Sequence, residues 1–308
     1  MSNKTKSVSF SDVLTELKRL KEGDGYYSVF YYHPTRQYSV TLEGEEPYMR
    51  EYEKKIAESG KPTDNKISED VLNKLFREDE KTKKNTDIGT ILMKVTLLNA
   101  FYRTAIINIH LVPIARYICS LNFDERILSG ENNNEPNYEL IHDLAYHQCS
   151  YFTHQGDTSI MRFRVKTRNG IVNQMNNLYS FATKYCAWHQ PDVYPIVDSY
   201  AKSMLYQIVN DYEYEDRNKL LEYIDLKKLK ERNIIDRARL SKIMLNDYEI
   251  YCHVYKGLRT YLAKEKDIKL NLKELDIFLW SYGAYNHIAI KTDNQIFQRK
   301  SYLDDGKR

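Results

Sequence analysis

The sequence predicts a mainly α-helical protein that carries a small N-terminal α+β segment. Two observations lead to this fold class. From residue 86 onward, apolar residues recur at every third or fourth position in most segments, which is the period of an amphipathic helix. Between residues 26 and 42, the chain instead has short runs rich in Tyr, Val and Phe, which are typical of β-strands. A chain of 308 residues suffices for one large domain or two smaller ones.

The first 85 residues are expected to form the α+β segment. Its predicted elements are helices at residues 10–21, 47–59 and 68–77 and a β-hairpin with strands at 26–32 and 37–42, joined by HPTR. The charged run EDEKTKKNT at residues 78–86 is typical of a solvated linker. We therefore predict two domains, an appendage at residues 1–85 and a helical domain at residues 86–308.

The helical domain follows in order. Helices are predicted at residues 88–107, 110–121, 138–147, 220–230, 234–261 and 272–282, with an exposed loop, SGENNNEP, at 129–136. The run MRFRVK alternates between apolar and basic residues as a strand does, so residues 150–167 are harder to assign.

A helix–turn–helix at residues 178–205 organises this domain. Apolar residues of the first helix, from Leu178 to Cys186, fall on one face, and Ser180, Thr183 and Lys184 are predicted to lie on an opposite, polar face. Pro191 ends this helix, because a proline disfavours helical geometry in the residue before it. The second helix begins near Asp198, where a carboxylate can accept backbone N–H groups.

Charge singles out the same region. Residues 160–206 contain six basic and two acidic residues and so carry +4, whereas the whole chain carries +3. A carboxylate at a helix start within a basic, aromatic-rich stretch suits chemistry on a polyanion such as DNA.

Composition excludes several other classes. No apolar run is long enough to span a membrane, and the N-terminus MSNKTKSVSF lacks the apolar core of a signal peptide, so a cytoplasmic protein is expected. The four cysteines are scattered and form no CxxC pair, which argues against a structural zinc site or a disulfide framework. His142, His147 and His154 lack the spacing of metal ligands, and no metal or cofactor is predicted. The sequence leaves the oligomeric state open.

The pattern SFATKYC…HxP…YPIxDSY, with LNAFYRTAI upstream and ELDIFLWSYG downstream, resembles a little-characterised bacterial group. That group is distantly similar to helix-hairpin-helix DNA glycosylases of the oxoguanine-glycosylase type. The resemblance implies that Asp198 matches the catalytic aspartate of the superfamily and that Lys184 lies near the position of its nucleophilic lysine. It implies a DNA glycosylase acting in repair or in defence against phage with modified DNA.

Further site residues are expected around these two. Substrate contacts are predicted for Asn99, Tyr102, Arg103, Trp188, His189 and Tyr194, and DNA-backbone contacts for Arg162, Arg164, Lys166, Arg168, Asn177 and Lys202. The first three interrupt an apolar helix, and MRFRVKTR supplies most of the basic residues.

Each of these predictions has a structural alternative. Asp198 can be an ordinary N-cap, Lys184 a solvated surface lysine, and Asn99 the cap of a buried network. The chain also has Asn176, Asn177, Leu178 and Tyr179 where the glycosylase hairpin has glycines. A non-catalytic nucleic-acid-binding protein on the same scaffold is therefore the alternative function, and an interaction protein with tyrosine-rich surfaces is a third.

Overall fold

The computed structural model describes Ser11, Leu14 and residues 64–102, 104, 106, 110–132, 135–147, 162–167, 170–175, 178–210, 216–224, 247–276 and 278–280. These residues are mainly α-helical, as predicted. They belong to two compact units: one is Asp64–Val197, and the other holds the described residues on either side of it. The division into domains at residues 1–85 and 86–308 stays a prediction.

Most of the predicted N-terminal appendage lies outside the described residues. This applies to the β-hairpin at residues 26–42, to the helix at residues 47–59 and to the helix at residues 10–21 apart from Ser11 and Leu14, which are both helical.

The unit Asp64–Val197 contains six helices and two strands among its described residues. They are α1 (Asp64–Asn73), α2 (Ile88–Tyr102), α3 (Leu111–Ser120), α4 (Phe123–Asn132), α5 (Tyr138–His142), β1 (Arg162–Thr167), β2 (Gly170–Met175) and α6 (Tyr179–His189). Single π-helical turns, Lys74–Glu78 and Asp143–His147, extend α1 and α5. The strands pair antiparallel, with Arg162 opposite Met175 and Arg164 opposite Asn173. Residues 162–166 of the alternating run MRFRVK thus belong to a strand.

Two predicted boundaries in this unit are wrong. Helix α2 ends at Tyr102 and not at Ile107, because the Asn99 side chain bonds both backbone groups of Ile106 and so replaces helical hydrogen bonds there. The predicted loop at residues 129–136 is helical as far as Asn132. Its helix, α4, has Asp124 and Glu125 in its first turn, where carboxylates meet the positive end of the helix dipole.

Helix α6 lies at the centre of this unit. It packs against α2, α5 and both π-helical turns. The Tyr185 ring makes edge contacts with Phe76 and Phe123, with centroids 5.4 Å and 5.1 Å apart, and a tilted contact with Phe181. Because partners surround it, α6 is buried on nearly all sides, including Thr183 and Lys184 of the face that was predicted to be polar.

The second unit contains α7 (Ser199–Asn210), α8 (Arg217–Tyr223) and α9 (Tyr248–Glu265). Residues 272–276 and 278–280 are also helical, in agreement with the helix predicted at 272–282. Gly257 of α9 lets α8 approach closely, since a Cβ there would stand 2.7 Å from the Tyr223 carbonyl oxygen. The Tyr255 hydroxyl donates to the Leu272 carbonyl at 2.7 Å and ties α9 to the segment that follows it.

Candidate functional site

The turn after α6 is tied back to that helix by a single hydroxyl. Gln190 ends α6, and its carbonyl accepts the N–H groups of Val193 and Tyr194, both at 3.2 Å. The buried Thr183 hydroxyl accepts the Val197 N–H at 3.1 Å and donates to the Ser180 carbonyl. The chain therefore reaches residue 197 along a defined path, with a stiff proline at each end of the PDVYP segment.

Asp198 is the N-cap of α7. Its carbonyl accepts the first helical bond, from Lys202 N–H at 2.9 Å, and its carboxylate Oδ1 accepts Tyr200 N–H at 2.8 Å. The prediction that Asp198 begins a helix is confirmed. Asp198 is a partly exposed residue, and the two oxygens of a carboxylate can accept more than one hydrogen bond.

Lys184 is a buried residue with only 4% of its surface exposed. Its ammonium donates to the Ser180 hydroxyl at 2.9 Å, one helical turn away. The same ammonium lies 5.6 Å from the centroid of the Tyr102 ring, within the range of a cation–π contact. The alternative of a solvated surface lysine is therefore wrong, because other elements cover this side of α6.

Two predicted substrate-binding aromatics meet beside Lys184. The Tyr102 and Trp188 rings are 6.2 Å apart, and Tyr102 keeps 37% of its surface exposed. The Arg77 guanidinium carbon lies 6.0 Å from the Trp188 ring centroid. We call Arg77, Tyr102, Lys184 and Trp188 the aromatic–cation cluster. An exposed ring beside a cation, as Tyr102 is beside Lys184, can stack on a planar base next to a phosphate.

His189 belongs to a different group on the neighbouring stripe of α6. Its Nε2 lies 3.2 Å from the Asn85 side-chain nitrogen and 3.5 Å from the Lys94 ammonium. Asn85 Nδ2 also donates to Asp124 at 2.5 Å, and Asn85 Oδ1 accepts the Tyr185 hydroxyl at 2.5 Å. We call Asn85, Lys94, Asp124, Tyr185 and His189 the buried polar cluster.

Titration in the buried polar cluster is strongly perturbed. Burial lowers the pKa of Lys94 to about 7, although the nearby Asp124 carboxylate opposes this shift. Burial, with a contribution from the Lys94 charge, lowers the pKa of His189 well below its usual value. Burial also raises the pKa of Tyr185 well above 10. At neutral pH the imidazole and the phenol are therefore uncharged.

Three further residues predicted to contact substrate or DNA are Asn99, Tyr194 and Lys202, and each has a different environment. Asn99 bonds the backbone of Ile106 and the Thr104 hydroxyl, as expected for the cap of a local network. The Tyr194 ring is buried, and its hydroxyl accepts the Asn137 N–H at 3.0 Å. Lys202 is half-buried in α7; burial lowers its pKa, and the Asp198 carboxylate opposes that shift. Substrate or DNA contact by these three residues stays a prediction.

The predicted basic contacts are placed only by their backbone. Arg162, Arg164 and Lys166 occupy alternate positions of β1. Arg103, Arg168 and Asn177 lie outside the described residues. Lys184 and Asp198 belong to different compact units, and the prediction that they open onto one cleft remains to be tested.

Sequence reasoning missed Arg77 and most of the buried polar cluster. One signal was available: Lys94 is a lone lysine inside the apolar run ILMKVTLL. A lysine at a buried position of such a helix needs acceptors nearby. Which acceptors it finds depends on tertiary contacts, and the charged run at residues 78–86 gives no sign that its backbone would supply them.

Metal and membrane features are limited to two findings. Within the described ranges, no group of three or more His, Cys, Asp or Glu side chains is arranged to hold a metal ion. No helix among the residues that the structure describes combines the length and the apolar character needed to cross a bilayer.

Comparison with known proteins gives two similarities. A family model described as HI_0787_N, N-terminal domain, matches residues 48–193. This segment includes α1 to α6 and both clusters, and it ends before Asp198. An uncharacterized protein of Haemophilus influenzae is 27% identical over 200 residues, which cover 65% of this chain and 69% of the relative. No solved structure matches the chain.

Proposed function

We propose that the protein is a DNA N-glycosylase, built on a helix-hairpin-helix glycosylase-like scaffold, that excises a damaged or modified base. The observation that carries this proposal is the position of Asp198. It is the N-cap of a helix that follows a short proline-bounded turn, and it is a partly exposed residue. The resemblance implies a catalytic aspartate at this position.

The proposed reaction is hydrolysis of the bond between the sugar carbon C1′ and the base nitrogen. The bond electrons leave with the base, and positive charge develops on the sugar. The Asp198 carboxylate stabilises that charge and accepts a proton from the attacking water, whose oxygen bonds to C1′. The base takes up a proton as it leaves.

The aromatic–cation cluster supports the substrate class. A glycosylase must take its base out of the duplex and hold it against apolar or aromatic side chains. Tyr102 and Trp188 offer such rings, with the Arg77 and Lys184 cations next to them. If the Lys184 amine, in its neutral form, attacks C1′ in place of water, the product is a Schiff base and strand cleavage follows.

The test compares Asp198→Asn with Asp247→Asn. Asparagine caps helices as well as aspartate does, so neither change should unfold the chain. Asp247 is the N-cap of α9 and its carboxylate accepts Ile250 N–H, so it is a control for the loss of a capping carboxylate. We expect Asp198→Asn to lower base release by about 10²-fold or more, as for loss of general base catalysis.

The readout is mass spectrometry of bases released from a panel of damaged and naturally modified DNAs, with DNA affinity measured in parallel. Affinity should stay unchanged in both variants, and Asp247→Asn should release base at the parent rate. Strand cleavage in the same assay would indicate that the Lys184 amine attacks the sugar. Full activity of Asp198→Asn would remove the proposal.

A non-catalytic nucleic-acid-binding protein is the second candidate. It is favoured by the use of the Asp198 carboxylate as an ordinary cap on Tyr200 N–H. This candidate predicts DNA binding without release of any base in the panel, and the same affinity for the parent protein and for Asp198→Asn.

A further inference from the structure

The buried polar cluster fastens the loop at residues 79–87 to the end of α6. Lys94 of α2 has no exposed surface, and Asn85 of the loop has only 4%. The Lys94 Nζ atom donates to the Lys83 carbonyl at 2.8 Å and to Asn85 Oδ1 at 3.1 Å, two bonds that the two N–H groups of a neutral amine can make. The charged run at residues 78–86 is thus exposed at most positions, as predicted, but Lys94 holds it at the Lys83 carbonyl and at the buried Asn85.

The hydrogen bonds of Asn85 define which imidazole nitrogen of His189 carries the proton. Its side-chain N–H groups point to Asp124 Oδ1 and to His189 Nε2. Its Oδ1 accepts from Tyr185 and Lys94, so in the opposite amide orientation the Tyr185 hydroxyl would face an amide N–H group in place of this acceptor. With the amide in this orientation, His189 Nε2 is an acceptor, and the imidazole proton resides on Nδ1.

A second proton on His189 would disrupt this arrangement. It would remove the acceptor used by Asn85 and place an imidazolium 3.5 Å from the Lys94 ammonium. Among the residues that the structure describes, the titratable groups near Lys94 are Asp124 of α4 and Tyr185 and His189 of α6. Among them, Asp124 supplies the negative charge.

We propose that Lys94, Asn85 and His189 form a proton-sensitive latch, which holds the loop at residues 79–87 against α6 and is weakened by proton uptake. The latch is independent of the proposed function. It makes the stability of the unit Asp64–Val197 depend on pH near neutrality.

The direction of the pH dependence follows from the linkage between proton binding and folding. Lys94 has a folded pKa of about 7 against an ordinary value of 10.5, so between these values the unfolded chain binds more protons. Stability therefore rises with pH across that window. The lowered pKa of His189 acts in the same sense, because below pH 6.5 the unfolded chain again binds more protons. Acidification weakens the latch in both windows.

The experiment uses the full chain with Trp280→Phe, which leaves Trp188 as the only tryptophan. Trp188 lies in the same unit as the latch, so its fluorescence during urea unfolding reports on that unit. From pH 7 to pH 9 we expect the folding equilibrium constant to rise by up to about tenfold per pH unit. In the Lys94→Met background this rise should be lost, whereas Lys83→Met should keep it.

Lys83→Met is the matched control because the Lys83 side chain pairs with Glu80 and only its backbone carbonyl serves Lys94. A Lys94→Met slope equal to that of the parent would overturn the proposal. If Lys94→Met fails to fold, NMR of ¹³C-labelled lysine in the parent chain replaces it. A lysine ε-carbon that titrates near pH 7 would support the latch, and the absence of one would overturn it.

Discussion

Single hydroxyl and amide groups decide local structure in this protein. Thr183 illustrates this point, since its side chain is fully buried and its oxygen is the acceptor for Val197 N–H. A buried backbone N–H without an acceptor costs free energy comparable to a lost hydrogen bond. One side-chain atom thus contributes to the path of the turn after α6, together with the two bonds to the Gln190 carbonyl.

Replacing Thr183 with Val should expose this dependence. The methyl group fills the same volume but cannot accept Val197 N–H, so we expect the free energy of unfolding to fall by about 1–3 kcal/mol. Thr183→Ser keeps the hydroxyl and should be clearly less destabilised. Urea unfolding of both variants measures the difference, and equal destabilisation would show that the hydroxyl does not matter.

At the scale of elements, close packing of α8 on α9 requires a residue without a side chain. A Cβ on Gly257 would lie 2.7 Å from the Tyr223 carbonyl oxygen and 2.8 Å from the Ile224 Cα, and both are backbone atoms that a rotamer change cannot move. Helix propensity alone would favour Ala at this position by about 1 kcal/mol. Tertiary packing overrides that preference.

We therefore expect Gly257→Ala to destabilise the protein by about 1–3 kcal/mol, as overpacking does. Gly89→Ala is the control, because its Cβ would meet only the Asp87 side chain, at 3.2 Å. That change should leave stability unchanged or raise it by up to about 1 kcal/mol. Thermal or urea unfolding gives both values. If Gly257→Ala is as stable as the parent, α8 and α9 do not pack this closely.

At the scale of the whole molecule, charge distribution matters more than net charge. The chain carries +3 in total, yet residues 160–206 alone carry +4, including Arg162, Arg164 and Lys166 on β1. A polyanion would be attracted to this segment although the molecule as a whole is almost neutral.

The double variant Arg162→Gln with Arg164→Gln should weaken DNA binding and its dependence on salt. For every phosphate that the variant no longer neutralises, the slope of log Kobs against log salt becomes shallower by about 0.9. DNA affinity measured by fluorescence anisotropy between roughly 50 and 200 mM salt gives this slope. Arg116→Gln with Arg259→Gln, which removes two cations from α3 and α9, is the control. Equal slopes would exclude the β1 arginines from the interface.

Local features of this protein follow from the sequence alone. The helical period placed α6, Pro191 marked its end, and the aspartate in PIVDSY marked the start of α7. These inferences succeed because helix formation and capping depend on residues within about one turn of each other. The predicted end of α2 was wrong, because the Asn99 side chain accepts the Ile106 N–H and replaces a helical backbone hydrogen bond there.

Burial was decided by tertiary structure. The amphipathic pattern of α6 predicted one polar side, but neighbouring elements cover that side and bury Lys184 and Thr183. The buried polar cluster joins Asn85 to Tyr185, which are 100 positions apart in the chain. A sequence shows which residues are polar, whereas their pKa values and partners depend on which distant elements exclude water around them.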